Sequence, residues 1–196
     1  MQLPGIRVEK QRARSGPRLT KSRAVDLVAF VVALALGLML AEARLSRANE
    51  RALLARGARS VRGDLYAVVA VVYPVVILIM GVEGFSRAID RPVAEHEPAW
   101  FLSGALLFLA SKALKYSAIR ALGDRWTFRV LVLPGAPLVT DGPYRYIAHP
   151  NYLAVVGELA GAAMMCRAKV TGIVCVAAYA AIMWMRARFE DRHLRP

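Results

Sequence analysis

Cysteine, histidine and acidic residues are scarce in this sequence, and the shortages exclude several classes of protein. The 196 residues include only two cysteines, Cys166 and Cys175, and no CxxC pair or Cys/His spacing that suits a metal ion. We therefore predict packed free thiols, no disulfide framework and no metal site. Only 14 residues are acidic against 27 basic ones, which gives a formal net charge of +13. Such an excess serves nucleic acid, anionic lipid or membrane topology.

Hydrophobic residues are abundant, at 57% of the chain, and the mean hydropathy is positive. These values exceed those of ordinary soluble domains, so the sequence predicts an integral membrane protein and favours topology as the use of its charge. The first apolar run, "LVAFVVALALGLMLA", continues into "EARLSRANERALLARG" without a cleavage site. We interpret it as a retained membrane helix and not as a signal peptide.

Apolar segments separated by polar stretches predict an all-α membrane domain over residues 24–196, with about five transmembrane helices. The segments cover residues 24–43, 65–83 with a kink at Pro74, a third beginning near Trp100, 150–166 and 170–187. Only "CRAKV" joins the last two, which forces an antiparallel helical hairpin at the C-terminal end. Towards the end of the third segment, Lys112, Lys115 and Arg120 either snorkel or face a pocket.

The polar stretches between these segments have their own predicted structures. Residues 1–23 carry seven basic residues without hydrophobic periodicity, which indicates a flexible basic tail. Without interleaved aromatics, that tail is more typical of lipid-headgroup contact or disorder than of nucleic-acid binding. Residues 44–62 read as an amphipathic helix and turn on the membrane surface, and residues 121–148 as a loop or interfacial hairpin.

The distribution of basic residues predicts which loops face the cytoplasm. Residues 44–62, 112–145 and 186–195 are all cytoplasmic in a five-helix protein, with the acidic loop 84–98 outside. The same count places the basic tail outside, so either the tail crosses despite its charge or the first segment does not fully span. The combined weight of the three internal loops favours the first alternative.

Ionisable residues meet at the predicted cytoplasmic face. The hairpin brings "GPYRYIAHPNY" beside the C-terminal "RARFEDRHLRP", and His149 with Pro150 directly precedes a helix, where proline fits the first turn. Taken singly, the tyrosines are typical interfacial aromatics, the arginines topology signals and His149 a satisfied cap. Glu158 differs, because a carboxylate in the middle of an apolar helix usually marks a ligand site or a structural ion pair.

This constellation resembles the isoprenylcysteine carboxyl methyltransferase family. The family usually has a GPY(R)-x-x-R-H-P-x-Y segment, a glutamate in the next helix and a closing R-x-R-x-E-E. The corresponding parts of this sequence are "GPYRYIAHPNY", Glu158 and "RARFED". The segments "ANERALLARGA" and "ALGDRWTFRVLVLPGAPLVTDGPYR" are similar to a bacterial branch associated with type III polyketide synthases, whose acceptors are alkylpyrones or alkylresorcinols. The resemblance covers roughly residues 45–195 and is strong from Ala121.

The resemblance implies a membrane enzyme that transfers a methyl group from S-adenosylmethionine to an oxygen of a lipophilic acceptor. Its catalytic core would cover about residues 121–196, in a bacterial cytoplasmic membrane with the active site facing the cytoplasm, and a functional link to a type III polyketide synthase. The implied cofactor-binding residues are His149, Pro150, Tyr152, Glu158, Arg188, Glu190 and Asp191, and the implied catalytic residues are His149, Glu158 and Arg186. Ala148 and Asp191 depart from the family pattern, which has Arg and Glu there.

The chemistry of these residue types suggests a role for each, and other functions remain as alternatives. The carboxylates suit the cofactor's ammonium or ribose diol, the arginines its carboxylate, and Tyr152 its adenine, while His149 or an arginine assists deprotonation or stabilises an oxyanion. A prenylcysteine carboxyl methyltransferase, an NADPH-dependent membrane reductase of similar fold and a non-enzymatic basic membrane scaffold are the alternatives.

Overall fold

The computed structural model describes residues 5–90 and 98–194, and the side chains of residues 23–89 and 98–193. Helices form nearly all of the regular structure, as the sequence predicts. They are α1 (Gly5–Ala55), α2 (Tyr66–Asp90), α3 (Pro98–Leu122), α4 (Pro150–Met165) and α5 (Lys169–Leu194). Two strands of two residues each, β1 (Arg59–Ser60) and β2 (Leu131–Val132), pair antiparallel.

Four helices in the described part of the chain are long and apolar enough to cross a membrane, where the sequence predicts about five. The candidate spans are Arg23–Ala55, Tyr66–Ile89, Pro98–Arg125 and Lys169–His193. The predicted fourth span forms α4, but α4 has only 16 residues. At 1.5 Å per residue it is about 24 Å long, shorter than the hydrocarbon core of roughly 30 Å. Helix α4 is therefore shorter than the four candidate spans, and the fifth span stays a prediction.

Helix α1 continues well past its apolar run. Residues 44–55, predicted as a separate surface helix, extend α1 without interruption to Ala55. This stretch is rich in Ala, Leu and Arg, which favour helix, and no glycine or proline intervenes before Gly57. Gly57 ends the helix with φ +88°, and the N–H of Ala58 returns to the carbonyl of Leu53 at 3.0 Å. At its other end α1 begins at Gly5. The boundary between a tail and the membrane domain at residue 23 stays a prediction.

The acidic loop predicted over residues 84–98 is shorter in the structure. Residues 84–90 are the last turns of α2, Pro98 begins α3, and residues 91–97 lie outside the described part. Glu83, inside α2, accepts hydrogen bonds from the backbone N–H of Thr171 at 2.8 Å and from its hydroxyl at 2.6 Å. A carboxylate from α2 thus caps the beginning of α5 and fixes the two helices to each other.

Helices α3 and α4 pack so closely that glycine is required between them. A Cβ atom at Gly161 would lie 2.7 Å from the carbonyl oxygen of Gly104 and 2.8 Å from the backbone nitrogen of Phe108. Small residues four apart, such as Gly157 and Gly161, let membrane helices approach in this way. Large apolar side chains on the outside, including Val82, Leu106 and Ile173, are 69%, 67% and 75% exposed. They form a surface suited to lipid.

The segment between α3 and α4 is an anchored loop, in agreement with the sequence-based prediction, although its anchors were not predicted. It contains 3₁₀ turns at Gly123–Arg125 and Gly142–Arg145 and, between them, strand β2. Asn49 of α1 donates from its side-chain amide to the carbonyl of Trp126 at 2.8 Å. Asp64 accepts the N–H of Val130 at 3.0 Å. The extended end of α1 therefore positions the loop that covers one end of the bundle.

Candidate active site

A cavity of about 740 Å³ lies between the five helices and the anchored loop. This volume is within the range that accommodates cofactors and drug-sized ligands. One part of its lining is polar, formed by the beginning of α4 and the end of α5, and includes His149, Tyr152, Arg186, Glu190 and Asp191. The remaining lining is mainly apolar and comes from all five helices and the loop.

The acidic end of the cavity is organised around His149. Its Nε2 lies 3.0 Å from Asp191 Oδ1, and its Nδ1 lies 3.6 Å from Glu190 Oε2. The imidazole stacks on the ring of Tyr152, with the planes 7° apart and the centroids separated by 5.4 Å. The Tyr152 hydroxyl donates to Glu190 Oε2 at 2.6 Å. A turn of α4 and a turn of α5 are thereby joined through four side chains.

These contacts raise the pKa of His149 above its ordinary value, through the hydrogen bond to Glu190 first and then the contact with Asp191, against the opposing effect of burial. A raised pKa favours the imidazolium form, which has no free lone pair with which to accept a proton. Of the two roles predicted for His149, stabilisation of negative charge therefore fits the geometry better than assistance of deprotonation.

Arg186 is almost completely buried, at 4% exposure, and lies beside this group. Its Nε donates to the Tyr152 hydroxyl oxygen at 3.0 Å, and its Nη2 donates to the backbone carbonyl of Phe128. The guanidinium consequently links α5 to α4 and to the anchored loop. It is a fixed positive charge in the cavity wall.

A second charged group lies deeper in the bundle and involves residues of four helices. Lys112 Nζ is 2.7 Å from Glu42 Oε1 and 3.0 Å from Glu158 Oε2. Lys115 Nζ is 2.6 Å from Glu42 Oε2 and 3.3 Å from Glu158 Oε1, and the Tyr73 hydroxyl donates to Glu158 Oε2 at 3.3 Å. Two carboxylates and two ammonium groups balance each other, which is the condition for keeping charges in an apolar interior. Glu42, Lys115 and Tyr73 line the cavity, whereas Glu158 is completely buried behind them.

Two buried polar atoms of cavity-lining residues lack a hydrogen-bond partner among the described residues. They are Asn151 Oδ1, an acceptor, and Trp126 Nε1, a donor. Buried polar groups are normally paired, and an indole N–H usually finds an acceptor when it is buried. Both atoms are sealed from the open space of the cavity, although their residues contribute other atoms to its lining.

The structure brings together most of the residues that the sequence predicts for the site. His149, Tyr152, Arg186, Glu190 and Asp191 meet at one end of the cavity. Pro150 is the first residue of α4, as expected, and sets the direction of that helix. Glu158 belongs to the deeper charged group, which is the ion-pair alternative considered for it.

Two other predicted groups lie apart from this end. Arg188 is not brought to the cavity: it is exposed, and its guanidinium lies 5.4 Å above the ring of Trp184. Of the three basic residues in α3, Lys112 and Lys115 are buried and Arg120 is exposed.

Sequence reasoning missed Glu42 and Trp126 as cavity residues. Glu42 follows directly on an apolar run and shares a helical face with Ser46 and Asn49, since the spacings are four and three residues. That pattern was the available signal for a polar stripe on α1. Trp126 had no comparable signal, because its burial depends on contacts with distant parts of the chain.

An apolar helical bundle with a cavity whose polar end lies between the beginning of α4 and the end of α5 defines a class of integral membrane proteins. The model of the isoprenylcysteine carboxyl methyltransferase (ICMT) family matches residues 104–196, the part that supplies α3, α4 and α5. The chain belongs to this family, which confirms the family predicted from the motifs. It is therefore an integral membrane protein of a methyltransferase family.

Two bacterial proteins are similar to the chain. The uncharacterized protein YpbQ of Bacillus subtilis (strain 168) is 30% identical over 156 residues, which cover 79% of this chain and 89% of YpbQ. An uncharacterized protein of Haemophilus influenzae is 30% identical over 97 residues, 47% of this chain and 56% of that protein. No solved structure matches the chain.

Proposed function

We propose that the protein is an S-adenosylmethionine-dependent O-methyltransferase that acts on a lipidic polyketide, an alkylpyrone or alkylresorcinol, at the cytoplasmic side of a bacterial membrane. The observation that carries this proposal is the cavity whose lining includes Glu190, Asp191 and Arg186 together with a larger apolar part. A charged, water-soluble cofactor and an apolar acceptor both find suitable surroundings there.

The residues of the cavity suit the cofactor by their chemistry. Glu190 and Asp191 are acceptors for its ammonium group or ribose diol, and Arg186 is a donor for its carboxylate. When bound, S-adenosylmethionine supplies an electrophilic methyl group on a sulfonium.

The chain's own contribution is to orient the reactants and to exclude water. The hydrogen bonds that join Tyr152 to Glu190 and Arg186, with the ion pair between His149 and Glu190, fix the polar end, so little reorganisation is needed on binding. The imidazolium of His149 and the guanidinium of Arg186 provide positive charge near an acceptor oxygen that becomes negative when it loses its proton. The apolar lining from α1 and α2, including Met39 and Val69, suits an alkyl tail.

Labelled methyl transfer by the purified protein in lipid tests this function. We expect transfer to an alkylpyrone or alkylresorcinol, and a loss of about 100-fold or more in His149→Gln, in keeping with the removal of a charged group in an active site. The matched control is His193→Gln on α5. His193 is exposed, and its hydrogen bond is to the carbonyl of Phe189 in its own helix. Transfer to a prenylcysteine alone, or binding of NADPH without binding of S-adenosylmethionine, would contradict the proposal.

A further inference from the structure

The outward face of α5 changes from apolar to basic towards the end of the bundle that holds the candidate site. Ile173 and Ala177 are exposed near the beginning of the helix. The same side of the helix continues through Trp184, which is 62% exposed, to Arg188 and Arg192, which are exposed as well. Residues four apart lie above one another on a helix, so the last three side chains form one outward stripe.

The last two turns of α5 separate their charges by sign. Glu190 and Asp191 lie beside His149 at the polar end of the cavity. Arg188 and Arg192 are exposed, and neither forms an ion pair with a carboxylate in the part of the chain that the structure describes. Like charges four residues apart on a helix repel each other. An anion that comes from outside the chain and lies between the two guanidinium groups removes that repulsion.

The length of α5 places this basic stripe at the level of lipid headgroups. The candidate span Lys169–His193 has 25 residues, about 37 Å of helix, which exceeds the hydrocarbon core of roughly 30 Å. Tryptophan is typical of the edge of that core, and the headgroup layer beyond it is roughly 5–8 Å thick on each side. Arg188 follows Trp184 by about 6 Å along the helix axis, so with Trp184 at the edge it falls within the headgroup layer. The side chain of Arg192, one turn further on, is long enough to reach the same layer.

We propose that this stripe binds an anionic glycerophospholipid, with the phosphate between Arg188 and Arg192 and the acyl chains along the apolar part of the same face. Guanidinium groups suit phosphate because they offer paired N–H donors. The Arg188 guanidinium lies 5.4 Å above the ring of Trp184, and this stacking limits the freedom that it loses on binding. A zwitterionic headgroup fits less well, because its cation would add a third positive charge to a face that already has two.

Titration of the purified full-length protein in neutral detergent tests the site. Phosphatidylglycerol and phosphatidylcholine with the same acyl chains are added separately, and native mass spectrometry measures the Kd of each. We expect phosphatidylglycerol to bind at least about 10-fold more tightly, since each arginine near a membrane surface contributes about 5-fold to the binding of anionic lipid. Added salt should reduce the preference, because exposed charges are screened.

In the double variant Arg188→Gln with Arg192→Gln, the preference should fall to about 2-fold or less. The melting temperature of this variant without lipid should match that of the natural protein, because both side chains are exposed. The matched control is Arg56→Gln, which also removes a positive charge but lies at the end of α1, where Arg56 pairs with Asp124. It should keep the full preference. Glycerol 3-phosphate, which has the phosphate without acyl chains, should not displace the lipid at equal concentration.

Four results would overturn the inference: equal binding of the two lipids, a preference that survives in the double variant, an equal loss in Arg56→Gln, or displacement by glycerol 3-phosphate. A dimer of the natural protein that disappears in Trp184→Ala would also overturn it, by assigning this face to a second copy of the chain. None of these measurements depends on methyl transfer, so the lipid site and the proposed function can fail separately.

Discussion

Ser46 and Arg186 are connected through the backbone of a single residue, Phe128. The Ser46 hydroxyl accepts the N–H of Phe128 at 2.7 Å, and the carbonyl of Phe128 accepts the guanidinium of Arg186. Ser46 is 2% exposed and lies on α1, outside the residues that the family model matches. The first membrane helix therefore takes part in positioning a charge of the candidate site.

Substitution of Ser46 tests this connection. Ser46→Ala leaves the Phe128 N–H without its acceptor, and we expect the methyl-transfer rate to fall about 10-fold because the loop that holds Arg186 loosens, a cost typical of one lost hydrogen bond. Ser46→Thr keeps the hydroxyl and should restore most of the rate. The exposed Ser117 bonds only to the Leu114 carbonyl of its own helix, so Ser117→Ala is the matched control.

A double-mutant cycle decides whether Ser46 acts through Arg186. In an Arg186→Lys background, Ser46→Ala should cause little further loss, since effects of coupled residues do not add. Equal losses in both backgrounds would mean that Ser46 contributes only to general stability.

Removal of one charge from the deeper charged group should destabilise the protein more than removal of one positive and one negative charge together. Lys115→Met leaves Glu42 and Glu158 with a single ammonium group, and we expect a loss of about 3–5 kcal/mol in unfolding free energy, as for other broken buried pairs. The double variant Lys112→Met with Glu158→Gln removes one charge of each sign and should be less destabilised than either single variant. Asp124→Asn at the exposed Arg56 pair is the control, with an expected cost below about 1 kcal/mol.

Unfolding in detergent micelles, followed by thermal or denaturant titration, measures these differences. Strictly additive losses in the double variant would contradict the balanced arrangement. Glu158→Gln should lower stability and methyl transfer together, because Glu158 is in contact with both lysines but does not line the cavity.

Close packing of α3 on α4 predicts that alanine substitution has different effects on stability at two glycines. Gly161→Ala introduces a Cβ against backbone atoms of Gly104 and Phe108, which cannot rotate away, so we expect a loss of about 1–3 kcal/mol. Gly37→Ala on α1 meets nothing within 4 Å and should be neutral or slightly stabilising, because alanine favours helix. Equal melting temperatures for the two variants would show that the helices separate at little cost.

Hydropathy and motif spacing predicted the parts of this fold that depend on local sequence. The apolar segments of α2, α3 and α5, the start of α4 at Pro150 and the short turn before Lys169 all follow from composition, proline and length. The continuation of α1 to Ala55 was missed because a charged amphipathic helix is equally consistent with a membrane surface and with a bundle that reaches beyond the membrane.

Partners across the chain were beyond sequence reasoning. Glu42 pairs with Lys112 and Lys115, which follow it by 70 and 73 residues in the chain. Asn49 contacts Trp126, which is 77 residues further on. One isolated carboxylate or amide does not indicate which distant group it meets, and two-residue strands such as β1 and β2 are too short for an alternating pattern. The contact of His149 and Tyr152 with Glu190 could be predicted from the helical hairpin, because α4 and α5 are adjacent in the chain.

The raised pKa of His149 predicts how the stability of the site depends on pH. A histidine whose folded-state pKa lies above its unfolded value stabilises the protein fully below the unfolded value of about 6.5, and this contribution disappears as pH rises through the folded-state pKa. The melting temperature of the natural protein should therefore exceed that of His149→Gln most below about pH 6.5, and the difference should shrink as the pH rises through the raised folded-state pKa.

Titration of the His149 ring by NMR in isotope-labelled protein measures the same quantity directly. Glu190→Gln and Asp191→Asn should each lower the His149 pKa, because each removes a carboxylate that stabilises the imidazolium. The resonance of exposed His193 serves as the internal reference and should move far less in either variant. A melting difference that grows with pH would mean that burial dominates over the two carboxylates, and that His149 is neutral when the site is formed.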